Sequence, residues 1–427
     1  MTDASETLHG KVSHLFRREA GKMVSHLTKL FGLGRLNLAE DVVQDTLLQA
    51  LRAWSVHGFP DNPSAWLMRV ARNRAIDLIR RDQKLETVTP ELRYLAELGE
   101  ASAEPEPASE QEIQDDQLRM MFSCCHPELS AEVQVTLILK TLCGFSVAEI
   151  AAALLAGEDS IEKRLGRARK LLRESGSFVP IASSHEIPAR IDAVREAIYL
   201  LFNEGYHGSQ SESTVREDLC YEALRLALLL GEHPQGGQPK TFALIALFCF
   251  NAARLAGRVD AEGFLVQLEN QDRSTWDRAL VARGFDYLGR SAADNELSEL
   301  HLEAAIASLH SGAETWEATN WPRIRELYDY LYRLKPTPVV ALNRAIAVGQ
   351  AEGPEAGLSE LDAIPDLVKL KQYPFYPAAR GELHRRAGRR DEARRCFEAA
   401  LRLARNPAEA AFLERKLAAC RSRVDIQ

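Results

Sequence analysis

Apolar residues recur three and four positions apart along nearly all of this 427-residue chain, and alternating β-branched runs are scarce. That spacing belongs to helices burying one face. Ala, Leu, Glu and Arg, which favour helices, fill the intervening positions. The expected fold class is all-α.

Charge divides the chain. Residues 11–82 hold twelve basic and seven acidic side chains. Residues 83–116 hold two basic and ten acidic ones, so that stretch alone carries the whole chain's formal charge of -8. Its Pro, Ala, Ser and Glu content predicts a flexible linker. Residues 117–176 form a second helical block and residues 183–427 a third. An acidic chain excludes a uniformly basic nucleic-acid coat, but DNA binding needs only a local basic face.

The seven cysteines include no CxxC, so a disulfide framework is not expected. Cys124, Cys125 and His126 are adjacent, whereas zinc ligands normally sit two to four residues apart. Neither a metal nor a cofactor is expected. The N-terminal MTDASETLHG lacks the pattern of a secretory signal, and the most apolar stretch, Thr241–Phe250, reads as too short to span a membrane. The expected compartment is the cytoplasm. No P-loop, HExxH or GxSxG pattern occurs, and the chain is not expected to be an enzyme.

Three segments carry chemistry. In LAEDVVQDTLLQALRAW, Val42, Val43, Leu47, Leu48 and Leu51 make an apolar helix face, with Glu40, Asp41, Gln44, Asp45 and Gln49 largely outside it. In FPDNPSAWLMRVARNRAIDLIRR, a loop with Asp61 and Asn62 leads into a helix whose expected cap is Ser64 and whose first turn holds Trp66. Leu67, Val70, Ala71, Ile76 and Ile79 form its buried stripe; Arg69, Arg72, Asn73, Arg74, Arg80 and Arg81 fill the rest. That is a phosphate-binding face with one amide able to read a base edge, and Trp66 suits stacking on an unpaired base. In SVAEIAAALLAGEDSIEKRLGRARKLLRE, two helices flank a turn at Gly157, with Ile150, Ala151, Ile161 and Leu165 inward. This is a helix-turn-helix pattern whose second helix carries Ser160, Lys163, Arg164, Arg167, Arg169 and Lys170 toward a major groove.

In the third block, Gly381, Ala393, Phe397 and Ala400 match the offsets of a tetratricopeptide repeat. Ile324, Tyr328, Leu331 and Pro336 match upstream, and Ala356 and Ala363 match weakly between. An irregular helical array is the other reading. Asn203, Glu204, Gly205 and Tyr206, together with Asp272, Arg273, Trp276 and Asp277, read as a buried structural network or a signal-binding site.

The order AEDVVQDTLLQAL, AWLMRVARNRAIDLIRR, linker, basic helix-turn-helix resembles bacterial sigma factors of the extracytoplasmic-function type. FSCCHP (Phe122–Pro127), FNEGY (Phe202–Tyr206), LENQDRSTWDR (Leu268–Arg278), TNWPRIRELYDYL (Thr319–Leu331) and PTPVVALNRAIAV (Pro336–Val348) resemble the subgroup with a C-terminal tetratricopeptide-like extension. The resemblance implies that Glu40, Asp41, Gln44, Asp45 and Gln49 bind core RNA polymerase. It implies that the Asp61–Trp66 loop, Arg69, Arg72, Asn73 and Arg74 take the minus-ten element, and that the second basic helix reads the minus-35 element of promoter DNA. Glu162 departs from several family members, so the minus-35 sequence is not transferable. The linker reads either as a polyanion mimic in the polymerase channel or as a passive tether. The extension is expected to regulate, through a regulatory protein or an intramolecular partner. The alternative is a stand-alone helix-turn-helix regulator with a tetratricopeptide scaffold; a third reading is a scaffold with incidental basic helices.

Overall fold

The computed structural model describes residues 2–81, 110–154, 156–175, 187–207, 215–260, 264–294, 296–370, 373–404 and 407–421. Among the described residues the structure is helical with no strand, as the periodicity predicts; Val259 and Leu265 form an isolated antiparallel bridge. The chain divides into two compact units, Met1–Leu201 and Phe202–Gln427.

In the first unit, α1 (Thr2–Phe31), α2 (Leu36–His57) and α3 (Pro63–Arg81) pack against one another. Leu36, Ala39, Val43, Thr46, Ala50 and Trp54 step three or four residues along α2 and are buried. The Thr46 hydroxyl donates back to the Val42 carbonyl at 2.8 Å, which satisfies it within the core. A second group comprises α4 (Glu110–Cys124), α5 (Ala131–Thr141), α6 (Val147–Ala153) and α7 (Glu158–Ser175). Helix α4 lies along α1. Where the two groups meet, a Cβ on Gly21 would sit 2.1 Å from the Leu142 carbonyl oxygen, so only glycine permits this approach.

The buried Asp116 fastens the same junction. His26 Nδ1 lies 2.9 Å from its Oδ2, and Lys29 Nζ and Arg119 Nη1 lie 3.3 and 3.4 Å from Oδ1. A buried carboxylate is tolerated when cations answer it in this way. Residues 110–116 therefore correct the linker reading: they are helical, and the last of them is a structural anchor. Residues 83–109 lie outside the described residues. Cys124 and Cys125 are buried thiols; burial pushes Cys125 up to about 12 and Cys124 well above its usual value.

Helix α8 (Ile187–His207) contains the boundary between the units, and its start is held by Arg190, whose Nη1 donates to the Phe122 carbonyl at 3.1 Å. In the second unit follow α9 (Glu217–Glu232), α10 (Pro239–Ala252), α11 (Arg278–Ser291), α12 (Glu299–Gly312), α13 (Trp321–Leu334) and α14 (Pro338–Ala351). Then come α15 (Pro354–Asp362), α16 (Phe375–Arg386), α17 (Arg390–Leu401) and α18 (Pro407–Arg421). From α9 to α18 each helix packs on its successor, the contact pattern of a helical array.

Small residues mark the crossings. A Cβ on Gly381 would meet the Phe397 ring at 2.9 Å, and Ala393, Phe397 and Ala400 are buried, as the last repeat predicts. The middle repeat is shifted. Ala356 is half-buried and Ala363 exposed, while Gly357 meets Gly349 closely and Leu361 fills the core. Helix α15 starts with Pro354 directly after Gly353 at φ 103°. The stretch Pro239–Gly257 is long and apolar enough to cross a membrane, contrary to the shorter reading, yet 67% of it is buried within this unit. It holds α10, which α9, α11 and α12 cover.

Candidate nucleic-acid interface

Helix α2 presents Asp41, Gln44, Asp45 and Gln49 to solvent, as expected. Two corrections follow from its packing. Leu48 and Leu51 are 53% and 45% exposed, because α1 and α3 cover only the face centred on Ala39, Val43 and Ala50. The open face of α2 is thus mixed, apolar in part and acidic around it. Glu40 is not on it. Its carboxylate accepts from Arg169 Nη2 of α7 at 2.8 Å, and its side chain is 16% exposed. Burial raises the Glu40 pKa more than Arg169 lowers it.

The loop between α2 and α3 is built by capping. Gly58, at φ 79°, ends α2, and its N–H donates to the Trp54 carbonyl at 3.0 Å. Asn62, not Ser64, caps α3: its Oδ1 accepts from the Ala65 N–H at 3.0 Å, and Pro63 opens the helix where a missing N–H costs nothing. Asp61 and Asn62 are exposed. Trp66 is half-buried and packs edge-on against Trp54 at 5.5 Å, and Trp54 in turn contacts Phe59 and Phe16. Trp66 is therefore a firm wall beside the loop and not a free side chain.

Along α3, Leu67, Ala71 and Ile76 are buried, with Val70 half-buried; Arg69, Asn73 and Arg74 are exposed and Arg72 is half-buried. The Arg74 Nη2 donates to Asp45 at 3.1 Å across the surface. The side chains of Ile79, Arg80 and Arg81 lie outside the described residues.

The helix-turn-helix is formed by α6 and α7. A reciprocal capping box starts α6: the Ser146 N–H donates to Glu149 Oε2 at 2.7 Å, and the Glu149 N–H to Ser146 Oγ at 3.1 Å. Ile150 and Ala151 are buried, and the Gly157 carbonyl accepts from the Ser160 and Ile161 N–H groups in the first turn of α7. Ile161, Leu165, Ala168 and Leu172 anchor α7 inward. Ser160, Lys163, Arg167 and Lys170 lie on the outer face. Arg164 and Arg169 depart from the expected basic face. Arg164 pairs with Glu132 of α5 at 2.8 Å, and Arg169 with Glu40. Nothing in the local sequence signals Glu132, since its partner comes from a helix two elements away.

The arrangement is a unit with two exposed cationic helix faces, one ending in a loop beside an indole, the other preceded by a capped turn. A model of sigma-70 region 2 matches residues 15–85, and one of sigma-70 region 4 matches residues 119–172. The ECF RNA polymerase sigma factor SigL of Mycobacterium tuberculosis is 33% identical over 136 residues, 32% of this chain and 72% of SigL. The chain belongs to the extracytoplasmic-function sigma factors of RNA polymerase. The RNA polymerase sigma factor CnrH of Cupriavidus metallidurans is 30% identical over 155 residues, 36% of this chain and 80% of CnrH. As a sigma factor the chain binds core RNA polymerase and promoter DNA and directs transcription initiation; it is an initiation factor and not an enzyme.

The second unit has other relatives. A family of unknown function (DUF6596) matches residues 190–292. An uncharacterised protein of Rhizobium meliloti (strain 1021) is 38% identical over 384 residues, 90% of each chain, so that relative is similar well beyond the two sigma regions. No solved structure matches this sigma factor.

Proposed function

We propose that residues 11–82 dock on polymerase and open the minus-ten element, that residues 117–176 read the minus-35 element, and that residues 183–427 are a tetratricopeptide-like regulatory extension acting in the cytoplasm. The polymerase-binding face of α2 is Asp41, Gln44, Asp45 and Gln49 with Leu48 and Leu51 among them. An apolar centre with a polar rim is the usual anatomy of a protein interface. Asp61, Asn62 and Trp66 form the pocket for an unstacked base, and Arg69, Arg72, Asn73 and Arg74 hold its strand.

The observation that carries the minus-35 role is the outer face of α7. Ser160, Lys163 and Arg167 are exposed there, while the buried stripe fixes the helix beneath them. Glu40 and Arg169 engage each other in this state. Polymerase contact through Glu40 and DNA contact through Arg169 both require that pair to separate.

Run-off transcription on sigma-free core polymerase tests the reading. Discrete starts that depend on the full chain, and that are lost with Lys163→Glu and Arg167→Glu, are expected. Starts unaffected by that double change would remove α7 from promoter reading. A chain ending at Leu201, which keeps the Arg190 contact, tests the extension; transcripts identical to those of the full chain would deny it a regulatory role.

A further inference from the structure

The second unit holds a half-open cavity of about 500 Å³, within the range of small-molecule sites. Leu342 and Ile346 of α14 and Phe412 and Leu413 of α18 give it an apolar wall. Arg254 and Arg258 form a cationic one.

These two guanidinium groups are unlike most described arginines of the unit. Arg258 is 8% exposed and lies over the Tyr206 ring, 3.6 Å from its centroid. Arg254 sits 5.8 Å from the Tyr206 centroid and 5.9 Å from that of Trp276. The Nε of each is buried without a hydrogen-bond partner. Among the described residues, neither has a carboxylate within ion-pair distance. Arg273, nearby, donates to the carbonyls of His310 and Ala313 and brings a third positive charge. Rings hold Arg254 and Arg258 in place without neutralising them, whereas Glu317 partly answers Arg273.

The cavity's own acids do not supply the missing charge. Glu382 accepts from Lys416 at 3.1 Å and from Arg385, Glu269 lies 4.0 Å from Lys416, and Glu409 is engaged as well. Two further groups point to a ligand. The Oε1 atoms of Gln267 and Gln271, both lining the cavity, are buried and accept no hydrogen bond. Unsatisfied buried polar groups are uncommon enough to call for an explanation.

We propose that this cavity binds a small organic anion, a carboxylate or phosphate on an apolar or aromatic body. The anion pairs with Arg254 and Arg258, a hydroxyl or N–H of the ligand donates to Gln267 or Gln271, and the body lies against Ile346 and Phe412. The local field agrees with the geometry. His310, outside the lining, is depressed to about 3 first by burial and then by Arg254 and Arg273, so the Arg254 charge is felt by its buried neighbours. The inference concerns binding and stands whether or not the extension regulates transcription.

Titration calorimetry on the full chain with three probes of one shape tests it: 2-naphthoate, 2-naphthyl phosphate and neutral 2-naphthol. Saturable binding of at least one anion, about tenfold or more tighter than 2-naphthol, is expected. The better anion tells carboxylate from phosphate. Arg254→Gln should erase the preference. Ile346→Trp, which keeps the charges and fills the cavity, should weaken the anion about tenfold or more. No saturable binding of either anion, equal affinity for 2-naphthol, or a preference that survives Arg254→Gln would overturn the proposal. Should Arg254→Gln fail to give the circular dichroism of the folded chain, unchanged anion affinity in Ile346→Trp overturns it instead.

Discussion

The two units differ in how many of their basic side chains a carboxylate answers. On α7, Lys163 and Arg167 face solvent, and on α3 so does Arg69. In the array several arginines tie one helix to another. Arg344 of α14 donates to Asp329 of α13 at 2.6 Å and to Glu360 of α15; Arg380 of α16 donates to Asp362 of α15; Arg389 donates to Glu355 at 2.5 Å. By composition alone, Arg380–Arg395 is more arginine-rich than α7. What separates the two uses is whether a neighbouring helix offers a carboxylate. Where none does, as at Arg254 and Arg258, the same residue type marks a place for an external anion.

The largest effect on this contrast should come from Arg344. Replacing it with Met leaves Asp329 and Glu360 facing each other without the cation between them. We expect a loss of roughly 2–3 kcal/mol in the stability of the second unit, measured by urea denaturation. Promoter affinity of the first unit should not change. A loss under about 0.5 kcal/mol would show that these bridges merely decorate the array.

His310 sharpens the contrast through pH. It is held neutral at about 3, against an ordinary value of 6.5, first by burial and then by Arg254 and Arg273. The unfolded chain takes up the proton near pH 6.5 and the folded one does not. Stability is therefore full above that pH and is lost as the pH falls from 6.5 toward 3. At pH 5 the loss should be about 2 kcal/mol, and His310→Gln should abolish that part of the pH dependence. Denaturation curves at pH 7.5 and 5 that shift equally in wild type and variant would refute it.

How much of this was legible beforehand follows from the same physics. The all-α fold, the inward residues Ile150, Ala151, Ile161 and Leu165, and the Gly381–Phe397 crossing are periodicity and size, which a single segment carries. The open faces were only partly legible. Glu40 and Arg169 each look solvent-directed in their own helix, and only the packing of the two helix groups, with α7 against α2 and Gly21 against Leu142, brings them together. Leu48 and Leu51 were read with Val42 and Val43 as one apolar face, and an apolar residue on a helix does not reveal whether anything covers it. The cavity was not legible at all: its cationic wall precedes α11, whereas its apolar wall comes from α14 and α18. The motif LENQDRSTWDR was legible only in part: Arg273 and Trp276 are buried and Arg273 fixes two carbonyls, whereas Asp272 and Asp277 are exposed and cap local N–H groups, outside the buried network that was one of the two readings.

On the DNA side, Lys163→Gln with Arg167→Gln removes two cations that no described carboxylate engages. Two lost phosphate contacts should lower promoter affinity about tenfold and reduce the slope of log affinity against log salt by about 1.8. Stability should not move, the reverse of Arg344→Met. Fluorescence anisotropy of the polymerase holoenzyme on labelled promoter DNA, across a salt series, checks both. A lower affinity with an unchanged salt slope would mean that the two residues act other than through phosphate.

The smallest structural effect, and the finest division, belongs to Asp45. It lies on the proposed polymerase face of α2 and is paired with Arg74 on the proposed DNA face of α3, at 3.1 Å and with both side chains about half exposed. Exposed pairs of this kind are worth about 0–1 kcal/mol, because water screens them and two flexible side chains must be ordered. Asp45→Asn should therefore leave the melting temperature nearly unchanged. If Asp45 acts on polymerase, the variant should bind core polymerase more weakly in a pull-down titration while promoter opening by the holoenzyme, once formed, is preserved. If its purpose is to hold Arg74, core affinity should be intact and opening, followed by permanganate reactivity of unpaired thymines, should change instead. The two outcomes divide the surface between α2 and α3 into a protein-facing and a DNA-facing half at a single ion pair.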